Sequence, residues 1–531
     1  MEDISIFILN DDLQIEDILS GAAGGSPDCH TVYMRAGLSF VLSLLYRIGP
    51  DVPWFGLFLW ACLIAALAVI FHSVYRGKSG VKGSCVAVGL FLLFFPSLFL
   101  TPHYTVVAAA CGAAALFSAG NLAAEGRELK LKDLIPAVVM LKLCDAIRPQ
   151  VFLMLAPLCL IAFVYLCIRA GKKSLKPVLT AAGMLASAWL VFAGVHALAY
   201  SAPEWKEYLA LNDARTDLYD YTGVWESDAA KEYYRGLGVS GAELPLYLNY
   251  SLLADEEADA ERFSSMAAWV EPGRTLKGRE ALSAAVWNLR QKCFSEDLPY
   301  SAVFLLVFAA CLVMMIMKKE LWGSLAAIAA AGLHILLYLY LLYRGRAPER
   351  VTLSLYMAGT AWLAGLLAGA ETDKKKEIVP AAVAAAVLAA AAVFIHPFKA
   401  AGEQRAVNID TYVLYSYMAE KPEEIFLLDT YAAVDRTRGT FEHEETPNVV
   451  TLGGWIYGSP LQEHRLEALG IGDAEKLLTD TRCRFVVREG VGLEVEELNA
   501  FLAERYGDCE PFREEYRLTS GAVRYIIYSH D

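Results

Sequence analysis

Several features that would place this chain in a common class are missing from its sequence. The 11 cysteines show no spacing typical of a metal site, and the chain contains no internal repeat. Positive charge is not in excess, because the formal net charge is −14. This balance argues against nucleic acid as a partner. Cys483 and Cys509 could pair in an oxidising compartment or remain thiols.

Charged residues of either sign are also few, at 20% of the 531 residues, whereas 56% are hydrophobic and the mean hydropathy is +0.38. A soluble protein of this length is not so apolar. Runs that approach or reach the length of a membrane span lie at 53–75, 83–101, 104–124, 133–147, 150–170, 177–200, 300–317, 321–343, 351–369 and 377–396. The sequence therefore predicts a polytopic α-helical membrane protein with about ten transmembrane helices.

The short loops between these runs predict the orientation, because Lys and Arg concentrate on the cytoplasmic side. One alternate set of loops, near 76–82, 125–133, 169–176, 318–320 and 371–377, holds 15 basic residues. The other set holds only Arg148, Arg344, Arg346 and Arg350. The first set is predicted to be cytoplasmic, in a bacterial cytoplasmic membrane.

This orientation divides the chain into five regions. We predict an outer acidic loop and surface helix at 1–52, transmembrane helices at 53–200, and a large, mostly helical outer loop at 201–299. Further transmembrane helices follow at 300–397. Alternating strand-like and helical runs in 398–531 predict a small outer α/β domain.

The start of the chain does not fit the alternation. The apolar stretch 4–9 is too short to span a membrane and lacks the basic flank of a signal peptide. We expect a first transmembrane helix upstream of Met1, and the alternative is a strand or half-turn lying on the surface.

The outer N-terminal loop gathers carboxylates in a Gly-rich setting, with Asp11, Asp12, Asp28 and His30 as candidate site residues. A carboxylate here could be a general base toward an acceptor hydroxyl, or Asp11 and Asp12 could hold a divalent cation, the one cofactor that we consider. Alternatively, Asp11 or Asp12 caps a helix, and Glu16 and Asp17 belong to its solvated face.

A second candidate group contains Arg344, Arg346 and Arg350, which lie on the outer side against the topological bias. Guanidinium groups bind phosphate in a bidentate way, so a phosphate at the membrane surface would explain them. Alternatively, Arg350 pairs with Glu349 or with an acid of the C-terminal domain, and the others reach lipid headgroups. Arg148 lies near Lys142 and Asp145, a pair that reads as a structural salt bridge.

These residues resemble the GT-C superfamily of polytopic glycosyltransferases, and within it a bacterial subgroup. The resemblance rests on Asn10-Asp11-Asp12, Ser20-Gly21, Pro27-Asp28, Arg344-Gly345-Arg346 with Pro348 and Arg350, Gly453-Gly454-Trp455 and Ser459-Pro460. It implies that Asp11 or Asp12 is catalytic. It also implies that basic residues on later outer loops, Arg344, Arg346 or Arg350, hold the phosphate of a polyprenyl-phosphate sugar.

The resemblance implies transfer of a sugar from a lipid-linked donor to a glycan, lipid or protein acceptor of the cell envelope. Asp28, His30 and Arg148 are further candidates for substrate binding. The alternative is a transporter or polymer-assembly protein whose outer domains bind a partner. Transporters usually place charge at mid-membrane, whereas here it gathers at the outer surface, which favours the enzyme.

Overall fold

A bundle of long apolar helices forms the body of the protein in the computed structural model, which describes residues 5–8, 10–76, 80–269, 278–370, 411–434, 436–442, 446–507, 509–520 and 523–530. In chain order the elements up to residue 370 are β1 (Ile6–Phe7), α1 (Asn10–Ser20), α2 (Ala36–Ile48), α3 (Trp54–Arg76), α4 (Gly80–Leu100), α5 (Tyr104–Glu125), α6 (Leu131–Ile147), α7 (Pro149–Arg169), α8 (Gly171–Ala199), α9 (Pro203–Thr216), a π-helical turn (Asp217–Thr222), α10 (Asp228–Gly236), α11 (Leu244–Leu248), a 3-10 turn (Leu252–Ala254), α12 (Ala260–Ala267), α13 (Arg279–Phe294), α14 (Leu298–Met317), α15 (Leu321–Tyr343) and α16 (Glu349–Gly369).

Eight of the described helices are long and apolar enough to cross a membrane, namely α3, α4, α5, α7, α8, α14, α15 and α16. Each coincides with a predicted span, so the prediction of a polytopic helical fold is confirmed. The predicted span 133–147 is the shorter helix α6, and the predicted span 377–396 lies outside the described residues. Helices α7 and α8 are separated at Gly171, whose φ of 62° interrupts the helix.

Helices α5 and α16 form the centre of the bundle and are almost wholly buried. Their backbones approach closely at glycines: a Cβ added to Gly365 would lie 2.3 Å from the Phe117 carbonyl oxygen, and one added to Gly369 would lie 2.2 Å from that of Asn121. Gly365 and Gly369 have the four-residue spacing that lets membrane helices pack closely.

The C-terminal part begins with a helix at 411–419, which we number α17. It continues with β2 (Ile425–Leu428), α18 (Thr430–Val434), β3 (Arg438–Gly439), β4 (Val449–Thr451), α19 (Pro460–Ala468), α20 (Ala474–Thr479), β5 (Cys483–Arg488), α21 (Val495–Tyr506), β6 (Arg513–Ser520) and β7 (Val523–Ser529). The strand order of its sheet is β4-β2-β5-β7-β6. The first three strands are parallel to one another. Strand β7 is antiparallel to β5, and β6 is antiparallel to β7. The predicted α/β fold of this part is confirmed.

The N-terminal segment, helix α9 and the C-terminal domain meet at one end of the bundle, in a region that we call the loop face. The Tyr208 hydroxyl in α9 donates to the Trp455 carbonyl oxygen at 2.6 Å, and Arg465 in α19 donates to the Ala22 carbonyl oxygen at 2.7 Å. Strand β1 pairs antiparallel with β3. Three regions that are far apart in sequence therefore enclose one end of the bundle.

Candidate functional site at the loop face

Helix α1 carries Asp11 and Asp12 in its first turn, but the two carboxylates have different surroundings. Asp12 is buried, and its Oδ2 lies 2.6 Å from Nδ1 of His103. Its Oδ1 accepts a hydrogen bond of 2.9 Å from the Tyr104 backbone N–H at the start of α5. Burial raises the pKa of Asp12, and His103 opposes that rise. Asp12 therefore joins α1 to α5, and a cation there would have to compete with both hydrogen bonds.

Asp11 is more exposed than Asp12 and belongs to a different contact. Its Oδ2 lies 3.7 Å from Nη2 of Arg350, at the start of α16, and its side chain is 19% exposed. The structure thus brings together one candidate acid and one candidate arginine that are 339 positions apart. Of the two predicted acids, Asp11 is the one whose carboxylate is partly exposed to solvent.

Tyr33 is a partly buried phenol whose hydroxyl is affected by several charged side chains, including Asp11. Burial raises the pKa of its hydroxyl; the positive charges of Arg215 and Arg148 oppose that rise, and the negative charges of Asp11 and Asp220 add to it. Four charged side chains from four parts of the chain therefore act on one phenol. We call this phenol and the charged side chains around it the Tyr33 cluster.

Arg148 enters the cluster because of the Arg148-Pro149 sequence between α6 and α7. The residue before a proline is biased away from helical dihedrals, and Arg148 has φ −147° and ψ 93°. The guanidinium lies 4.5 Å from the ring centre of Tyr33, and Nη1 donates to the Tyr104 hydroxyl at 2.6 Å.

Arg215 near the end of α9 is buried, with 6% exposure. It donates to Asn212 Oδ1 at 2.7 Å and to the Tyr250 hydroxyl. Among the described residues, no carboxylate lies within ion-pair distance of Arg215 or Arg148. A buried guanidinium without an acidic partner is costly unless an anion binds to it.

The π-helical turn that follows α9 completes the cluster. It presents Asp220, which pairs with Arg346, and Tyr221, whose ring centre lies 5.2 Å from the guanidinium of Arg344 and 5.9 Å from that of Arg346. Single π-helical turns are frequent at functional sites. Arg346 thus has an acidic partner that the sequence alternatives did not include.

The balance of charge in the site is positive. Five arginines (Arg148, Arg215, Arg344, Arg346 and Arg350) and three acids (Asp11, Asp12 and Asp220) take part in the contacts described above. The whole chain has a net charge of −14. Concentrated positive charge against an acidic background, at the ends of membrane helices, is the property expected of an anion-binding site.

The polar side-chain atoms of Asp28 and His30 form hydrogen bonds within the protein. His30 Nδ1 lies 2.6 Å from Asp28 Oδ1, and Nε2 lies 3.1 Å from the Ala199 carbonyl oxygen. Burial would lower the pKa of His30, but the interactions with Asp28 and Cys29 together outweigh it and raise the pKa to about 10. Cys29 lies beside the pair. Because both ring nitrogens face acceptors, this trio fits a cationic histidine that fastens the loop to α8 better than a metal site.

Lys142 and Asp145 form the predicted pair, and Arg35 joins it, with Nη2 2.9 Å from Asp145 Oδ1. This group links α6 to the start of α2.

Five residues in the contacts of the site were not predicted from the sequence, namely Tyr33, Tyr104, Arg215, Asp220 and Tyr250. No motif marks them, and the charge rule that highlighted Arg344 counts only short loops.

The Gly453-Gly454-Trp455 segment after β4 packs against two tyrosines of the site, Tyr250 and Tyr33. A Cβ at Gly453 would lie 1.8 Å from the Tyr250 carbonyl oxygen. The Trp455 ring packs edge-on against Tyr33 with 5.0 Å between ring centres. The C-terminal domain therefore contacts two tyrosines of the site.

Gly453→Ala is expected to displace Tyr250 and so to disturb Arg215. A forced shift of packed backbone costs about 1–3 kcal/mol, which should lower the thermal unfolding temperature and weaken anion binding. Gly241→Ala is the matched control, because its added Cβ would meet nothing within 4 Å. Unchanged stability and anion binding in Gly453→Ala, measured side by side with the control, would contradict this role.

The sequence matches no known family model and no curated protein. Among solved structures, the chain is similar to the crystal structure of ArnT from Cupriavidus metallidurans in the apo state, with a TM-score of 0.40 and 10% sequence identity, over 99% of this chain and 94% of that chain.

Proposed function

We propose that the protein is a membrane glycosyltransferase that moves a sugar from a polyprenyl-phosphate donor to an acceptor hydroxyl at the outer surface of the cytoplasmic membrane. The observation that carries the proposal is the site on the loop face, in which Asp11 contacts Arg350 and five arginines outnumber the acids at the ends of membrane helices. The acceptor belongs to an envelope glycan, lipid or protein.

Arg148 and Arg215 are the arginines best suited to hold the donor phosphate. Both act on the Tyr33 hydroxyl, and neither has an acidic partner among the described residues. Planar guanidinium groups present paired N–H donors that match two phosphate oxygens. The partly buried setting strengthens these interactions relative to water. Arg344 and Arg346 at the rim would add attraction for the approaching anion.

Asp11 is the proposed general base. It takes the proton of the acceptor hydroxyl as the acceptor oxygen forms a bond to the anomeric carbon of the sugar. The bond from that carbon to the phosphate oxygen breaks, and its electron pair leaves with polyprenyl phosphate, whose charge Arg148 and Arg215 stabilise. Attack opposite the leaving group inverts the anomeric configuration. Arg350 holds the Asp11 carboxylate until the acceptor arrives.

Helix α2 supports entry of a lipid from the side. Its residues Phe40, Val41, Leu44 and Ile48 are exposed, with Ile48 at 74%. An exposed apolar stripe on a helix that leads directly into a membrane span fits a helix lying at the membrane surface. The polyprenyl chain could therefore stay in the bilayer while its phosphate reaches the cluster.

The test is transfer from radiolabelled polyprenyl-phosphate sugars by the purified protein in proteoliposomes, with a membrane extract as the source of acceptors. We expect label to leave the donor with the native protein and not with Asp11→Asn. Absence of both donor binding and donor turnover across a panel of sugars would contradict the proposal and favour a partner-binding role.

The proposed orientation has its own test. In spheroplasts of a strain whose accessible native cysteines are replaced by serine, Glu463→Cys on α19 should react with an impermeant maleimide. Lys173→Cys in the basic stretch near Gly171 should react only after permeabilisation, because basic loops stay in the cytoplasm. Both positions are exposed in the structure. The opposite labelling pattern would place the loop face in the cytoplasm.

A further inference from the structure

We propose that Arg438 of the C-terminal domain is a positioning residue for Asp11, and that it acts by fixing helix α1 on the loop face. This inference rests on the proposed function, because it concerns the placement of the proposed base. The contacts that carry it come from two ends of the chain, more than 400 positions apart.

Arg438 is among the most buried charged side chains of the C-terminal domain, with 2% side-chain exposure. Its Nη2 lies 2.5 Å from Glu16 Oε2, and its Nη1 lies 3.2 Å from Asp17 Oδ1. Arg436 adds a contact of 2.7 Å to the other oxygen of Asp17. Glu16 also accepts a hydrogen bond of 2.9 Å from the Tyr46 hydroxyl in α2. The expectation of a solvated face for Glu16 and Asp17 is therefore wrong.

The backbone around Arg438 is fixed by independent contacts. Phe7 pairs with Arg438 and Ile6 with Gly439 in the β1–β3 ribbon. The Ser5 hydroxyl donates to Thr440 Oγ1 at 2.8 Å, and the Thr440 N–H donates to the Ser5 carbonyl oxygen at 2.9 Å.

Helix α3 also makes room for this ribbon at one glycine. A Cβ added to Gly56, in the first turn of α3, would lie 2.0 Å from the Thr440 carbonyl oxygen. The absence of a side chain at Gly56 therefore lets Thr440 sit directly against α3. Residues 438–440 are thus held between the N-terminal segment and the membrane bundle.

The helical spacing of α1 explains how this contact reaches Asp11. Asp12 and Glu16 are four positions apart and lie on one face of the helix. Asp12 binds α5 through His103, and Glu16 binds Arg438, so this face is fastened at two points. Asp11 projects from a different face, toward Arg350. If the second fastening is lost, α1 can rotate or fray, and the Asp11 carboxylate moves away from the Tyr33 cluster.

Arg438→Gln tests this role in the full-length protein. Turnover is expected to fall by about 10- to 100-fold, because misplacing a reacting group by about 1 Å can cost about 100-fold. Donor binding is expected to change by less than about threefold, because Arg148 and Arg215 are untouched. Arg438→Lys should recover only part of the turnover, because a lysine cannot bridge two carboxylates as a planar guanidinium does. The matched control is Arg517→Gln, an exposed arginine of β6 with surface partners.

A second measurement does not depend on catalysis. In a background without accessible native cysteines, Asp11→Cys and Arg350→Cys should be joined efficiently by a short bifunctional thiol reagent. Adding Arg438→Gln should lower the yield several-fold, and adding Arg517→Gln should not. If Arg438→Gln does not fold, Gly56→Ala disturbs the same contact without removing a charge and should give the same loss.

The two measurements separate the inference from the proposed function. A protein that shows no transfer, but loses the crosslink when Arg438 is replaced, overturns the glycosyltransferase proposal and keeps the positioning role of Arg438. A folded Arg438→Gln protein with unchanged crosslinking and unchanged turnover overturns the inference. Equal losses in turnover and in donor binding also overturn it, because they indicate general loosening of the loop face.

Discussion

Asp11→Asn is expected to lower turnover by two or more orders of magnitude while the protein stays folded and still binds its donor. Asparagine keeps the shape of the side chain but cannot accept the proton of the acceptor hydroxyl. The loss should appear in kcat, with little change in the KM for donor. Among the residues that the structure describes, the Asp11 carboxylate has one ion-pair contact, with Arg350 at 3.7 Å, so replacing it leaves few of these groups without partners.

Asp12 provides the matched control one position away. Asp12→Ala leaves the buried His103 ring and the Tyr104 N–H without their partner, which should cost about 1–3 kcal/mol of stability. A lower unfolding temperature is expected, together with a loss of kcat per folded molecule that is clearly smaller than the loss in Asp11→Asn, because losing the Asp12 contacts also loosens α1 beside Asp11. If Asp12→Ala abolished turnover in folded protein and Asp11→Asn did not, the roles of the two carboxylates would be reversed.

Arg148→Gln and Arg215→Gln are each expected to weaken donor binding by about 2–5 kcal/mol, a factor of about 30 to several thousand. Each change removes a partly or fully buried guanidinium with no acidic partner among the described residues. The dissociation constant of a fluorescent polyprenyl-phosphate analogue in nanodiscs measures the loss directly. Polyprenol without phosphate should bind equally to the native and variant proteins.

Arg346→Gln is the comparison variant. Arg346 already pairs with Asp220, so a phosphate would have to compete for it, and we expect a loss of less than about tenfold. A larger loss for Arg346→Gln or Arg350→Gln than for Arg148→Gln and Arg215→Gln would move the phosphate to the 344–350 loop, where the sequence resemblance places it.

The membrane spans could be predicted from sequence because the length of an apolar run is a local property that matches the bilayer thickness. Four of the C-terminal strands could be predicted for the same reason, since runs such as Ile425–Leu428 are short, apolar and bounded by polar residues, whereas the polar strand Arg513–Ser520 carries no such signal. The Gly171 interruption also falls inside a basic stretch that the sequence assigns to a loop.

The arrangement of the site could not be predicted, because it depends on contacts between distant positions. Asp11 and Asp12 are adjacent acids in the sequence, and their contacts separate them, because Asp12 binds His103 and the Tyr104 N–H whereas Asp11 lies near Arg350. Glu16 can be buried because it pairs with Arg438. Arg438 lies more than 400 positions further on, so the pairing cannot be read from the sequence around Glu16. Arg215 has no flanking motif, and its significance comes from its burial without an ion-pair partner among the described residues, which a single sequence cannot reveal.

The close packing of α5 against α16 has a consequence for biosynthesis. These two helices have hydropathies of 1.7 and 1.5, the lowest of the eight spans, and they are the most deeply buried. Each presents glycine-lined backbone to the other, so neither is well suited to face lipid alone. Helix α5 is synthesised more than 200 residues before α16. It therefore enters the membrane before the helix against which it packs exists. A chain that terminates before residue 349 should therefore keep its early helices in an open state that cellular quality control removes.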